Sequence, residues 1–271
     1  MLYAFLIGYA GTLVALSVCA CIYLFCNSQA RAPLKEIADY TWCPFWEEIQ
    51  DDMGLITEYN LYYNGAPRVS FTKAPLRILD IGSGNGVTSA MILRSVFGRK
   101  VAITLSDIHP NLSSWSRLSN VEYSATPINI ESDSLSGYSM LSLLNSLHHL
   151  NEATVTTLFK KARQAGSSIF IMDAKRLPPY HPLLVPFLYY WIYVFLTIAG
   201  LFRRASLCKI RSLGQILVVP WIMCVDQMIG STRRYPMDSI RKFAEKHSFS
   251  VLLREDSLMN YIILEPRDDR F

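Results

Sequence analysis

Three groups of residues in this chain have the types and spacing for chemistry. The first is a glycine-rich turn, Gly82-Ser83-Gly84-Asn85-Gly86, directly after the apolar stretch Leu76 to Ile81. Glycines there permit a tight bend and a close approach of backbone to a ligand. Asp107 lies 21 residues beyond Gly86, near the roughly 20-residue offset at which a carboxylate grips ribose hydroxyls. The second group is Asn145, Ser146, His148 and His149, just past the apolar stretch Met140 to Leu144. Neutral imidazole suits proton abstraction near neutral pH, so His148 is the first general-base candidate and His149 the second. The alternative for His148 is a structural residue that orients its loop. The third is Asp173, which follows Ser168 to Met172 and either reaches the same cleft or pairs with Lys175 or Arg176.

Spacing narrows the ligand. The dinucleotide fingerprint is G-x-G-x-x-G. Here the third glycine comes one residue early, and Val87 stands where that pattern wants glycine or alanine, which disfavours a nicotinamide-dependent oxidoreductase. No Walker-type lysine follows, which argues against a nucleoside triphosphatase. The six cysteines show no paired metal-ligand spacing, so no metal is expected.

The elements that must position these residues follow from periodicity. Leu76–Ile81, Val101–Leu105, Val121–Tyr123, Met140–Leu144 and Ser168–Met172 read as buried strands. Thr88–Val96, Glu152–Ala165 and Met237–His247 read as helices. Phe249–Leu253 and Tyr261–Leu264 close the chain as two strands, expected to form an antiparallel hairpin at the sheet edge. Such alternation predicts a doubly wound α/β sheet with helices on both faces.

Leu79-Asp80-Ile81-Gly82-Ser83-Gly84-Asn85-Gly86 resembles motif I of class I S-adenosylmethionine (SAM)-dependent methyltransferases, and the resemblance extends from about Leu76 to Leu264. It implies a Rossmann-like methyltransferase sheet with SAM as cofactor. Asp80, Gly82, Ser83, Gly84, Asn85 and Gly86 would hold its methionine end, and Asp107 with Ile108 the ribose side. Ile128 and Asn129 would flank the adenine; many members have Asp at the position of Asn129. Asn145 and Ser146 would face the cleft, and Leu144 to Leu150 looks like the fourth-strand motif of small-molecule methyltransferases. Trp42, Pro44, the His148-His149 pair, and Asp226 through Arg233 to Tyr235 resemble a membrane-associated small-molecule methyltransferase subgroup. Asp226, Arg233 and Tyr235 are candidate substrate contacts, with helix capping and surface pairing as alternatives.

The apolar residues are unevenly placed. The 271-residue chain is 51% hydrophobic and 18% charged with a net charge of +4, and its mean hydropathy is +0.21. That excludes a disordered chain, and the lack of a Lys/Arg-dense stripe argues against a nucleic-acid partner. Residues 1–27 carry no Asp, Glu, Lys, Arg or His, and Leu2 to Phe25 is long enough to cross a bilayer as a helix, which takes about 20 residues. The run lacks the basic start of a signal peptide. Arg31 and Lys35 follow it, which places the body on the cytosolic side of a single span. Residues 28–75 read as an amphipathic linker that covers the cleft.

The domain itself spans 76–271, with an apolar helical insertion at 176–236. The runs Leu183–Phe202 and Ser212–Val225 flank Arg203, Arg204, Lys209 and Arg211, a pattern that suits helices lying in the cytosolic leaflet. A buried soluble core is the alternative. The expectation is a membrane-anchored, SAM-dependent methyltransferase acting on a hydrophobic small molecule or lipid, with a non-catalytic membrane adaptor or a protein methyltransferase as rivals.

Overall fold

Short apolar segments separated by polar turns build a parallel sheet at the centre of the chain. The computed structural model describes residues 76–98, 100–123, 127–174, 235, 237–255 and 259–267, with Gly8, Gly11, Val14 and Ala15. The chain divides into two units, Met1–Met53 with Leu177–Thr232 and Gly54–Arg176 with Arg233–Phe271. All described residues except those four lie in the second. The expected anchor at 1–27 (those four apart), the linker at 28–75 and nearly all of the insertion at 176–236, with Asp226 and Arg233, fall outside the described residues. Among the described residues no helix is long and apolar enough to cross a membrane.

The elements are β1 (Arg77–Ile81), α1 (Val87–Phe97), β2 (Ala102–Ser106), α2 (Leu112–Trp115), β3 (Val121–Tyr123), β4 (Met140–Leu144), a 3-10 turn (Leu147–His149), α3 (Glu152–Ala165), β5 (Ser168–Ala174), α4 (Met237–Lys246), β6 (Phe249–Glu255) and β7 (Met259–Pro266). The sheet order is β3-β2-β1-β4-β5-β7-β6. The first five strands are mutually parallel, and β7 runs antiparallel to both β5 and β6. The final hairpin therefore forms as expected, but only β6 takes the edge. β7 lies inside, paired on both sides, and Tyr261 to Leu264 are buried on both faces, as suits an interior strand with helices above and below it.

Alternation along the strands sorts the core into two layers. Ile78, Ile103, Met140, Phe170, Met172 and Ile263 pack with Ile92 and Leu93 of α1. Leu79, Leu141, Leu143, Ile169, Ile171 and Ile262 pack with α3 and α4 on the other face. Helix α3 buries Val155, Leu158, Phe159 and Ala162, the i, i+3, i+4, i+7 stripe of a helix with one apolar face. The Asn151 side chain caps its start by accepting from Thr154 N, and Gly166 ends it in the left-handed conformation.

Phe159 is wedged against Phe243, His247 and Phe249, so it joins α3 to α4 and β6. Phe159→Ala is expected to lower unfolding free energy by about 3–5 kcal/mol, the usual cost of removing a buried ring. Urea or thermal unfolding of the variant checks this.

Candidate active site

Parallel strands place their carboxyl ends, and the loops that follow, along one edge of the sheet. The glycine turn after β1 is held there from several sides. Gly82 N and Ser83 N both donate to Ser106 O at the end of β2, at 2.8 and 3.2 Å, and Gly86 N closes the turn on Ser83 O at 2.8 Å. Gly82, Gly84 and Gly86 all have positive φ, at 78°, 54° and 74°. A side chain at Gly82 has no room, since its Cβ would lie 2.6 Å from that of Ser146. Ser146 donates its hydroxyl proton to Ile81 O at 2.7 Å, so it fastens the loop after β4 to the end of β1.

Asp107, one residue past β2, ties the neighbouring strands together. Its Oδ2 accepts from Gly84 N at 2.8 Å and its Oδ1 from His109 N at 2.9 Å. Each carboxylate oxygen keeps a second lone pair, and the residue is partly exposed, so two ligand hydroxyls can still be accepted. Ile108 beside it is 73% exposed and Val87, at the other side of the turn, is 47% exposed. Ile128 N donates to Ser106 Oγ at 3.0 Å, which brings the segment before β4 to the same edge. Asn129 is exposed and its carboxamide is engaged locally, its Oδ1 accepting from Glu131 N at 2.8 Å.

Asp80 lies fully buried in β1, opposite Ser142 of β4 in the register. Its Oδ1 accepts from Ser142 Oγ, while Oδ2 makes no hydrogen bond. Burial pushes this carboxyl above the usual aspartate range and the Asp107 charge adds to the rise, while the nearby hydroxyls of Ser142, Ser89 and Ser83 oppose it.

The 3-10 turn after β4 carries the histidines. His148 is 5% exposed, and its Nδ1 lies 3.2 Å from both carboxylate oxygens of Asp173 at the end of β5. An ionised carboxylate only accepts, so Nδ1 carries the proton and Nε2 is left as the acceptor. Nε2 is buried without a hydrogen bond. His149 is exposed, its ring 4.2 Å from that of His148. Asn145 adopts φ 54°, donates its N–H to Met172 O at 2.7 Å and leaves Oδ1 without a hydrogen bond. Tyr235, half-buried, donates its hydroxyl to Leu150 O at 2.9 Å; burial and the Glu152 charge push its phenol up. It braces the histidine loop from behind.

The predicted residues Gly82 to Gly86, Asp107, Ile108, Ile128, Asn145, Ser146, His148 and Asp173 thus gather along the carboxyl edge of β1, β2, β4 and β5. Ser106, Ser142, Ser114 and Trp115 join them without having been singled out. A serine inside the apolar strand MLSLL is a signal only once the register sets it against Asp80. Ser114 Oγ donates to Asn85 O at 2.8 Å and Trp115 Nε1 to Gly84 O at 2.9 Å. Among the described residues no cluster of His, Cys, Asp or Glu could hold a metal ion.

No family model and no curated protein matches this sequence. Solved structures do. An O-methyltransferase from neocarzinostatin biosynthesis, NcsB1, in complex with S-adenosyl-L-homocysteine and 1,4-dihydroxy-2-naphthoic acid, superposes with a TM-score of 0.53 at 11% identity, covering 94% of this chain and 70% of that one. The pyocyanin biosynthetic protein PhzM gives 0.49 at 13% identity, covering 77% of this chain and 55% of that one. An O-methyltransferase family protein from Burkholderia thailandensis gives 0.47 at 11%, covering 90% and 61%. This chain spans under two thirds of the length of the latter two. The fold, a seven-stranded α/β sheet in which antiparallel β7 lies between β5 and β6, is shared with NcsB1.

A carboxyl whose folded pKa exceeds its unfolded one favours folding most below the unfolded value, and that contribution is lost as pH rises through the folded value. Asp80 therefore costs stability at neutral pH. Asp80→Asn should unfold at a higher temperature than the parent at pH 7, with the gap closing as pH falls toward about 4. Melting curves of the ligand-free protein across that range check it.

Proposed function

We propose that this chain is a SAM-dependent methyltransferase that methylates a hydrophobic small molecule or lipid at a membrane. The observation that carries the reading is the glycine turn bonded to Asp107 on the sheet edge that also holds the buried His148–Asp173 pair. The residues suit the cofactor. Asp107 has lone pairs for two ribose hydroxyls, exposed Ile108 offers an apolar surface for a purine with Ile128 and Asn129 nearby, and the turn with Asp80 beneath it holds the amino-acid end.

The bound cofactor supplies a methyl group already activated on a sulfonium, so the reaction needs mainly positioning and exclusion of water. His148 Nε2 takes the proton from the acceptor's hydroxyl or amine. Asp173 holds the imidazole in that orientation and stabilises the imidazolium that forms. Asn145 Oδ1, unpaired in the same loop after β4, accepts a hydrogen bond from ligand or acceptor.

The acceptor class rests on the sequence outside the described residues. A charge-free N-terminal run and the apolar segments 183–225, inserted between Asp173 and Tyr235, give the chain membrane-seeking surface next in sequence to its catalytic residues. Asp226 and Arg233, at the end of that insertion, are the groups proposed to meet a polar head.

The test is to incubate the full chain and methyl-labelled SAM with membranes, then separate lipid, small-molecule and protein fractions. Label should enter the lipid or small-molecule fraction. Label in protein alone assigns a protein acceptor, and binding without transfer to any fraction assigns a non-catalytic adaptor. Gly84→Asp and Asp107→Ala should each abolish cofactor binding; retained binding in both contradicts the cofactor assignment. His148→Ala should bind the cofactor normally and lose transfer by about a hundredfold or more. The full chain is expected to stay with the membrane fraction after an alkaline wash; release contradicts the anchor.

A further inference from the structure

The glycine turn is gripped on its outer side by one short segment. Trp115 is fully buried; its indole N–H donates to Gly84 O at 2.9 Å, and its ring shares with Leu105 the space a Cβ on Gly86 would need, their Cδ1 atoms lying 2.8 and 2.5 Å from that position. Ser114, its neighbour in α2, donates to Asn85 O at 2.8 Å. Asp107, which opens the same β2–α2 connection, accepts from Gly84 N at 2.8 Å. Two successive carbonyls and one N–H of the turn are therefore held from one side. Asn111 caps α2 by accepting from Ser114 N at 3.1 Å, and Trp115 rests against Tyr123 of β3 at 6.0 Å, so the grip is anchored in the sheet.

The consequence lies in peptide geometry. In a trans peptide the carbonyl of one residue and the N–H of the next point in opposite directions. Fixing Gly84 O on Trp115 and Asn85 O on Ser114 aims the Asn85 N–H away from α2, and sends the Gly86 N–H back to Ser83 O at 2.8 Å. Three glycines at positive φ would otherwise leave the turn many conformations to lose on binding.

We infer that Trp115 and Ser114 are positioning residues that set the glycine turn for the amino-acid end of the cofactor. The inference rests on the assignment of that turn to SAM. It gives α2 a role besides filling the core: the segment that follows Asp107 shapes the turn for the amino-acid end, while Asp107 itself keeps its own bond from His109 N on the ribose side.

Calorimetric titration of the full chain with S-adenosylhomocysteine and with adenosine tests it. Adenosine lacks the amino-acid end and reports on the ribose side alone. Trp115→Phe keeps an aromatic ring in the core and removes the N–H; Ser114→Ala removes only a hydroxyl. Each should weaken S-adenosylhomocysteine by about fivefold to tenfold, the worth of one hydrogen bond, and leave adenosine affinity unchanged. Unchanged S-adenosylhomocysteine affinity in both variants overturns the inference, even with a lowered melting temperature, and assigns Trp115 to packing alone. An equal loss for both ligands also overturns it, as general loosening. If the unaltered chain binds neither ligand, the cofactor assignment itself has failed.

Discussion

The hydrogen bond from Gly84 N to Asp107 Oδ2 is the constraint on which the rest of the site depends. It joins the turn after β1 to the end of β2, two strands already side by side in the parallel sheet. It also fixes where a carboxylate stands relative to a backbone bend. β4 enters on the other side of β1, and Ser146 pins its loop to Ile81. β5 then presents Asp173 to His148. Each strand adds one functional group at the same edge because all four run in one direction.

That edge is assembled against stability. Buried polar atoms in folded proteins nearly always find a partner. Here Asp80 Oδ2, Asn145 Oδ1 and His148 Nε2 do not hydrogen-bond, and Asn145 is held at positive φ. Three unpaired polar groups along the edge where the glycine turn and Asp107 also lie suit a place built for a ligand. The opposite faces are ordinary core, apolar layers of Leu, Ile and Phe packed against α1 on one side and α3 with α4 on the other.

Much of this was legible before the structure. The strands and the helices α1, α3 and α4 follow from apolar periodicity, and the turn and Asp107 from glycine spacing and a fixed offset; the four-residue α2 and the 3-10 turn are too short to leave a periodic signal. The pairing of His148 with Asp173 was hidden, because the two lie 25 residues apart in sequence and only the β4–β5 register brings their loops together. The interior place of β7 was equally hidden, since a hairpin pattern does not say which of its strands faces the sheet. Ser142 and Trp115 escaped notice for a related reason. Their meaning comes from what lies across the register or under a glycine, and no local pattern encodes that. Asn129 was placed by resemblance, and its carboxamide proves to be engaged by its own turn.

The central claim is that one edge of the sheet holds the cofactor and the base in mutual register. The most direct measurement is an experimental structure of the full chain with S-adenosylhomocysteine. The account predicts ribose hydroxyls on Asp107, the amino-acid end on the turn Gly82–Gly86, and the sulfur facing His148 Nε2 across space for an acceptor. A ligand bound away from Asp107, or one whose sulfur is turned from His148, would contradict it.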